Sequence, residues 1–266
     1  MWNYQQLITR FIQVENDTPL ITSLTAIDEA IKLIEPDEHI LADWFQLYAR
    51  GHRMRLAFDI DYLMQYVPQE HNILEVGSIP LILTSALNKF EYNIYGVDIA
   101  PTRFQSAITK LNLNIKKCDV ELESLPFPNN FFDAILFNEV FEHLRINPIF
   151  TMNEVLRVLK PNGLLFISTP NLKSLEGIIN FNFRAKAYSC AGNVYSEYEK
   201  LQTLGHMGHV REYTTLEISQ FIQQVGFNIQ GLIYRGQYKC NPRWKRIITK
   251  MIPNLSPFVT IIATKS

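Results

Sequence analysis

Glycine is scarce in this chain, eleven in 266 residues, and cysteine scarcer, with three. Cys118, Cys190 and Cys240 are far apart and odd in number. Their spacing makes neither a disulfide framework nor a zinc ligand set, and it suits a reducing compartment. Neither charge sign is in excess: 25 Lys and Arg against 26 Asp and Glu leave a net charge of −1. A dedicated nucleic-acid binder would carry a large basic surplus, so nucleic acid is not an expected partner. No apolar run approaches the ~18 residues of a membrane span. The N-terminal MWNYQQLITRFIQ lacks a basic stretch followed by an apolar core, so no signal peptide is expected. Low-complexity tracts and internal repeats are also missing. A soluble cytoplasmic protein is the resulting expectation. With 47% hydrophobic residues the chain can bury a sizeable core, as one large domain or two small ones.

Residues 1–68 read as a helical cap. Apolar residues recur at three- and four-residue steps, first at Leu7, Ile8, Phe11 and Ile12, then at Ile27, Ala30, Ile31 and Ile34. Pro36-Asp37-Glu38 interrupts the pattern and restarts a helix, Leu56, Ile60, Leu63 and Met64 continue it, and Pro68 ends it. Beyond Pro68 short apolar runs alternate with helical stretches. Strands are expected at 72–77, 92–98, 114–119, 132–137 and 164–168, with helices over 81–90, from Pro101 and over 148–159. Lys160-Pro161-Asn162-Gly163 is a stop signal. This alternation predicts an α/β chain of βαβ units around a mostly parallel, doubly wound, Rossmann-like sheet. Residues 171–212 break the rhythm and read as an insertion after the fifth strand, on the side where such sheets bind ligands. Thr214-Thr215-Leu216-Glu217 is a capping box, its helix runs to Val225-Gly226, and Phe227–Tyr234 and Phe258–Thr264 supply two further strands.

The strand ends carry the chemistry. Glu75-Val76-Gly77-Ser78 closes the first strand, and Gly77 lets the backbone turn close to a ligand. Asp98, followed by Ile99, closes the second; an acid there accepts hydrogen bonds from both hydroxyls of a ribose. Asp119 with Val120 closes the third, where an acid followed by an apolar residue suits an adenine amino group and ring. Asn138 and Glu139 close the fourth. Any one of these is ordinarily a cap or a turn; acids at three successive strand ends indicate a nucleoside site. The first loop, Gly77-Ser78-Ile79-Pro80-Leu81, has one glycine, whereas a pyrophosphate-binding loop needs G-x-G-x-x-G. A nucleoside without phosphates fits better, and S-adenosylmethionine is the common one.

Three strings in this order are specific. They are Cys118-Asp119-Val120-Glu121 to Leu125-Pro126-Phe127-Pro128, Phe132 to Leu144 (FDAILFNEVFEHL), and Glu154 to Gly163 (EVLRVLKPNG) with Ser168-Thr169-Pro170-Asn171. On these the chain resembles the class I S-adenosylmethionine-dependent methyltransferases over roughly residues 70–264, with further similarity from Tyr48 to Arg55. The resemblance implies a seven-stranded sheet of order 3-2-1-4-5-7-6 with the seventh strand antiparallel, in a domain spanning 69–266. It implies that Glu75 and Gly77 hold the methionine part of the cofactor, Asp98 the ribose, and Asp119 with Val120 the adenine. Ser78, Ile99, Asn138 and Glu139 complete the expected cofactor set. Ile79 and Leu81 stand where the family usually has further glycines, a departure that bears on the cofactor loop.

His143 and His209 are the catalytic candidates. On a helix, Glu139, Glu142 and His143 occupy i, i+3 and i+4 and share a face. Three roles stay open there: His143 as base or substrate contact, the cluster as a weak divalent-cation site, or local packing. The cluster resembles the acidic-histidine motif of ubiquinone-pathway O-methyltransferases, although no residue is assigned as a metal ligand. In Gly205-His206-Met207-Gly208-His209-Val210-Arg211-Glu212-Tyr213, His209 is taken as the substrate-facing member; the alternative is an Arg211–Glu212 pair that holds the insertion down. Tyr48, His52 and Arg53 form a lid or pack as a cap. Phe181, Phe183, Tyr188, Tyr195 and Tyr198 line an acceptor pocket or form the insertion's own core. The basic stretch Arg243–Lys250 touches a membrane surface weakly or is a solvated helix.

The leading expectation is methyl transfer to a hydroxyl of a sugar or glycolipid, from a resemblance to methyltransferases of bacterial polysaccharide clusters. A quinone- or lipid-type methyltransferase and a non-catalytic nucleoside-binding scaffold are the alternatives. The expected partners are the small-molecule acceptor, glycan or lipid-linked, and a second copy of the chain.

Overall fold

The computed structural model describes residues 11–205, 208–238 and 241–265. In chain order its elements are β1 (Phe11–Val14), α1 (Ile21–Leu33), α2 (Ala42–Tyr66), β2 (Asn72–Val76), α3 (Ile82–Leu87), β3 (Asn93–Asp98), α4 (Gln105–Lys110) and β4 (Asn114–Lys117). There follow β5 (Phe132–Asn138), α5 (Pro148–Val158), β6 (Leu159–Pro170), α6 (Leu175–Arg184), α7 (Val194–Thr203), α8 (Thr215–Val225), β7 (Phe227–Arg235), α9 (Arg243–Met251) and β8 (Phe258–Lys265). Among the described residues, eight strands hydrogen-bond in the order β1-β7-β8-β6-β5-β2-β3-β4. No described helix is long and apolar enough to cross a membrane.

The chain divides into two compact units. A central unit holds residues 18–136 and 158–160; a flanking unit holds residues up to 17, 137–157 and 161 onward. In the central unit β2 pairs parallel with β3 and with β5, and β3 pairs parallel with β4. Ile73, Leu74 and Val76 of β2 and Ala134, Ile135 and Leu136 of β5 are all buried. Such strands read as continuous apolar runs because helices cover parallel sheets on both faces. α1 buries Ala26, Ile27 and Ala30. Its N-cap residue, Leu20, has no side chain able to cap, and Asp61 of α2 substitutes, accepting from the Leu20 N–H at 2.9 Å and the Ser23 hydroxyl at 2.5 Å.

In the flanking unit β8 runs antiparallel to both β6 and β7. The capping box before α8 is formed: Glu217 accepts from the Thr214 N–H at 2.8 Å, and Thr214 Oγ1 accepts from the Glu217 N–H at 3.3 Å. β6 begins at Leu159 and runs through the expected stop Lys160–Gly163, with Asn162 at φ 62°.

Eight strands replace the expected seven, so the seven-strand order does not account for the sheet. The additional strand is β1, which pairs parallel with β7 from Phe11↔Gly231 to Val14↔Tyr234. Its residues had been read as helical. Leu7 and Ile8, half of that pattern, lie outside the described residues, and the four residues of Phe11–Val14 are too few to distinguish helix from strand by periodicity. Two contacts at distant sequence positions hold β1. A Cβ on Gly231 would lie 2.2 Å from the Phe11 ring, so glycine makes room for it. Just past the strand, Glu15 accepts from Arg235 Nε at 2.6 Å and from the Gly236 N–H at 3.1 Å, and Arg235 also donates to Thr260 at 3.0 Å. The Glu15 and Arg235 side chains are 2% and 1% exposed.

Removing one member of a buried ion pair strands the other charge, at a cost of about 3–5 kcal/mol. Glu15→Ala is therefore expected to lower unfolding free energy in urea by about that amount. A loss below about 1 kcal/mol, the range of exposed pairs, would show that the pair does not anchor β1.

Candidate functional site

β2 ends in a carboxyl that has been taken out of water. Glu75 is 7% exposed, and its Oε2 accepts a hydrogen bond from the Thr84 hydroxyl. Burial pushes its pKa up to about 8, and the nearby Asp59 and Asp98 carboxylates push the same way. The chain then turns through Gly77 at φ 72°, and the Gly77 and Ser78 N–H groups bond the Val97 carbonyl at 2.9 and 3.2 Å. Ile79-Pro80 is a cis peptide, and Leu81 follows at φ 70°. Leu81 thus occupies the left-handed conformation that glycine adopts freely, at a cost of about 1–2 kcal/mol, and its side chain is fully buried. The missing glycine is replaced by a leucine whose burial offsets its backbone strain.

Asp98 ends β3 and fastens two loops. Its Oδ2 accepts from the Ile79 N–H at 3.1 Å and its Oδ1 from the Ala100 N–H at 2.9 Å. Each oxygen of an ionised carboxylate has a second lone pair, so the group can still accept from a ligand hydroxyl. Ile99 follows it in the gap before α4. Asp119 lies just past β4, which ends at Lys117, and its Oδ1 accepts from the Glu121 N–H at 3.0 Å. Glu75, Gly77, Ser78, Asp98, Ile99, Asp119 and Val120 all belong to the central unit.

The remaining expected residues belong to the flanking unit. Asn138, at the end of β5, has both polar side-chain atoms buried without a hydrogen-bond partner. A buried amide is ordinarily satisfied, so this one fits a ligand-facing group. Glu139 follows at φ 54°; its N–H bonds the Ser168 carbonyl and its Oε1 accepts from the Ser168 hydroxyl, each at 2.9 Å. That positive φ takes Glu139 out of the helix expected to carry it. Only Phe141–His143 form a 3-10 turn, so Glu139, Glu142 and His143 do not share one α-helical face.

The structure instead brings Glu142 and His143 to His209. Their ligand atoms lie within 4.8 Å of one another. Glu142 is fully buried; Oε2 accepts from Thr169 at 3.2 Å and Oε1 has no partner among the described residues. Burial and the Glu139 charge raise its pKa. His143 Nδ1 donates to the Gly208 carbonyl at 2.8 Å, which leaves the lone pair on Nε2. Burial and the charge of His209 hold His143 down at about 4, so it is neutral at neutral pH. His209 moves the other way: burial lowers its pKa, and the Glu212, Glu142 and Glu139 carboxylates together outweigh it. The rings stand edge to face, 4.9 Å apart. Oxygen and imidazole donors of this kind could hold a divalent cation.

Other expectations change. Arg211 pairs with Glu217 at 2.5 Å, not with Glu212. Glu212 is buried and accepts from the backbone N–H groups of Ser189, Cys190 and Ala191, the Ser189 hydroxyl and His209 Nδ1; against burial, the bonds from His209, Ser189 and Ala191 hold its pKa down at about 2. Phe181, Phe183, Tyr195 and Tyr198 are exposed and do not form a core of the insertion. Tyr48 packs on His52 with ring centroids 4.3 Å apart, and Arg53 pairs with Asp28 at 2.5 Å. In α9, Lys245 pairs with Glu176, and Arg246 and Lys250 with Asp17, while Trp244, Ile247 and Met251 are exposed. His206, Met207 and Cys240 lie outside the described residues.

Gly96 escaped the sequence reading. A Cβ there would lie 2.8 Å from Ser78 Cβ and 2.5 Å from Ile115 Cδ1, so the loop after β2 packs against a bare backbone. A glycine inside a strand is the signal that marks such a close approach. Thr84, Cys190 and Glu212 were also missed as partners, because they meet their neighbours through the fold and not through spacing.

Residues 74–167 match a known protein family, the methyltransferase domain. An uncharacterised methyltransferase of Schizosaccharomyces pombe is 31% identical over 125 residues, covering 42% of this chain and 45% of that protein. The mitochondrial ubiquinone biosynthesis O-methyltransferase of Mus musculus is 24% identical over 233 residues, covering 80% of this chain and 60% of that protein. The chain thus spans about half the length of these curated relatives. Among solved structures, an S-adenosylmethionine-dependent methyltransferase of Thermotoga maritima superposes with a TM-score of 0.55 at 18% identity, over 84% of this chain and 95% of its own. The [4+2]-cyclase SpnF superposes with a TM-score of 0.56 at 14% identity, over 94% and 99%. One fold therefore carries more than one chemistry. The fold is that of the S-adenosylmethionine-dependent methyltransferases, and residues 74–167 match the methyltransferase domain.

Proposed function

We propose that this chain is an S-adenosylmethionine-dependent methyltransferase acting on a hydroxyl of a small-molecule acceptor, a sugar or glycolipid. The observation that carries the reading is the pair of acids, Glu75 and Asp98, at the ends of neighbouring parallel strands, with the Gly77–Leu81 loop tied to Asp98. When bound, S-adenosylmethionine supplies an electrophilic methyl group. The residues present fit it. Glu75, buried with no cation beside it among the described residues, receives the ammonium of the methionine part. Asp98 accepts from the ribose hydroxyls, Asp119 and Val120 take the adenine, and Gly77, Ser78 and Ile99 bring backbone close. Within the flanking unit, Asn138 offers a ligand its unsatisfied amide, beside Glu139.

For proton transfer, the two histidines are unequal. His143 has a lone pair on Nε2 at neutral pH, while the surrounding carboxylates raise the proton affinity of His209. His143 is the base in this reading, and His209 faces the acceptor. A base of pKa about 4 suffices, because a hydroxyl becomes strongly acidic as its oxygen gains the methyl group. The exposed rings of Phe181, Phe183, Tyr195 and Tyr198 offer faces on which a sugar can stack. In this reading residues 1–68 serve as a cap and 171–212 as the acceptor-side insertion. A quinone-type acceptor is the second reading, favoured by the Glu142, His143 and His209 cluster.

Transfer of labelled methyl groups to a panel of glycans, glycolipids and quinols tests the acceptor. His143→Ala should lower kcat by about 10²–10⁴-fold with cofactor affinity retained. An unchanged kcat would remove His143 from the reaction, and turnover of quinols alone would favour the second reading.

Glu75 gives a separate test through pH. Its folded pKa of about 8 exceeds the ordinary carboxyl value of 4.5, so the folded protein binds more protons between those limits. Stability contributed by the neutral carboxyl is present below pH 4.5 and falls as pH rises toward 8. Glu75→Gln removes that slope, so the cofactor-free variant should overtake wild type in Tm near pH 8 and above. His52 and His143, held down at about 3 and 4, act oppositely, losing stability as pH falls below 6.5. They cancel in the comparison. Parallel Tm–pH curves for the two proteins would show that Glu75 is ionised throughout.

A further inference from the structure

Cys190 comes from the middle of the insertion and His209 and Glu212 from its end, and the fold packs their donor atoms into one triangle. Cys190 Sγ lies 3.3 Å from Glu212 Oε1 and 4.0 Å from His209 Nδ1, and His209 Nδ1 lies 3.3 Å from the same carboxylate oxygen. We propose that this triangle is a binding site for a borderline-soft divalent cation of the zinc class, held by one thiolate, one imidazole nitrogen and one carboxylate oxygen. The site goes beyond the methyl-transfer reading and does not depend on it.

The distances suit a tetrahedral ion. Zinc about 2.3 Å from sulfur and about 2.0–2.2 Å from nitrogen and oxygen sets neighbouring ligand atoms about 3.3–3.6 Å apart. Two of the observed edges have that length, and the third closes with a small rotation of the cysteine. A thiolate beside an imidazole selects zinc over magnesium or calcium, which prefer all-oxygen shells. Three protein ligands leave the fourth position open, and Cys190 reaches the surface, so an ion has a way in.

The ligands are also held in place. Glu212 is fully buried, and the N–H groups of Ser189, Cys190 and Ala191 all point at its carboxylate, which draws Cys190 in beside it. The His209 N–H donates to Glu197 Oε2 at 2.9 Å, which fixes that residue's backbone. Such outer contacts orient metal ligands. Without a metal, the protons on Cys190 Sγ and His209 Nδ1 both point at Glu212 Oε1. Binding displaces both: the thiol proton leaves to solvent, and the imidazole presents Nδ1 to the ion. The sulfur gains a metal bond in place of hydrogen, and the imidazole keeps its proton on Nε2.

His209 also belongs to the cluster with Glu142 and His143, so the test must read the sulfur. Full-length protein stripped with a chelator is titrated with Co²⁺, whose bond to a thiolate gives an intense near-ultraviolet charge-transfer band. The band should appear at one equivalent, vanish when Zn²⁺ is added, be lost in Cys190→Ser and persist in Cys118→Ser. Zn²⁺ affinity, measured against a chromogenic chelator, should fall at least about tenfold in both Cys190→Ser and His209→Ala. Circular dichroism confirms that each variant is folded. Co²⁺ bound without the band would place the ion with Glu142 and His143 and overturn the proposal, as would no binding by folded wild type.

Discussion

A buried carboxyl with no cation beside it among the described residues, Glu75 at the end of β2, is the constraint on which the proposed cofactor site of the central unit rests. Apolar parallel strands on either side of β2 remove it from water, and Asp59 and Asp98 add negative potential. Its proton affinity rises as a result, against the opposing hydrogen bonds from the Thr84 hydroxyl and backbone N–H. A site of this kind is costly for an isolated anion and favourable for a bound cation. The loop after it is built to the same end. Gly77 turns the chain, Gly96 leaves room for Ser78, and Asp98 fastens Ile79. The neutral, hydrogen-bonded carboxyl and the tightly held loop together make a surface shaped before any ligand arrives.

The flanking unit solves a different electrostatic problem. Three carboxylates, Glu139, Glu142 and Glu212, act on one histidine, and the protein sets the proton affinities of His143 and His209 apart instead of letting both charge. The Gly208 carbonyl fixes the tautomer of His143, and the buried Glu212 orients His209. Glu212 also gathers the backbone of 189–191, so the segment that closes the insertion and the segment that begins its second helix are tied to one side chain. Substituting Glu212 would disturb the loop and the histidine together, which makes His143, His209 and Cys190 the more informative positions.

The strand ends were legible in the sequence because an acid and a glycine after an apolar run mark both a boundary and a chemistry. Asp98 stands at the end of its strand, as read, and so does Asn138. The first loop was less legible. Leu81 gives no sign of a left-handed backbone, because its burial supports the strain and burial is a property of the fold. The helix read through Glu139, Glu142 and His143 failed for the same reason: the positive φ of Glu139 is sustained by its bonds to Ser168, 29 residues away. β1 was hidden because its partners, Gly231 and Arg235, lie more than 200 residues on, beyond any local pattern. The thiol beside His209 shares this origin; cysteine spacing excludes a zinc set of cysteines alone and says nothing of a mixed one.

The most direct test of the central claim is calorimetric titration of the protein with S-adenosylmethionine and S-adenosylhomocysteine, repeated on Asp98→Ala. The account predicts binding with Kd on the order of micromolar, lost or strongly weakened by the substitution. A well-folded wild type that takes up neither ligand, or an Asp98→Ala variant that binds as tightly, would contradict it.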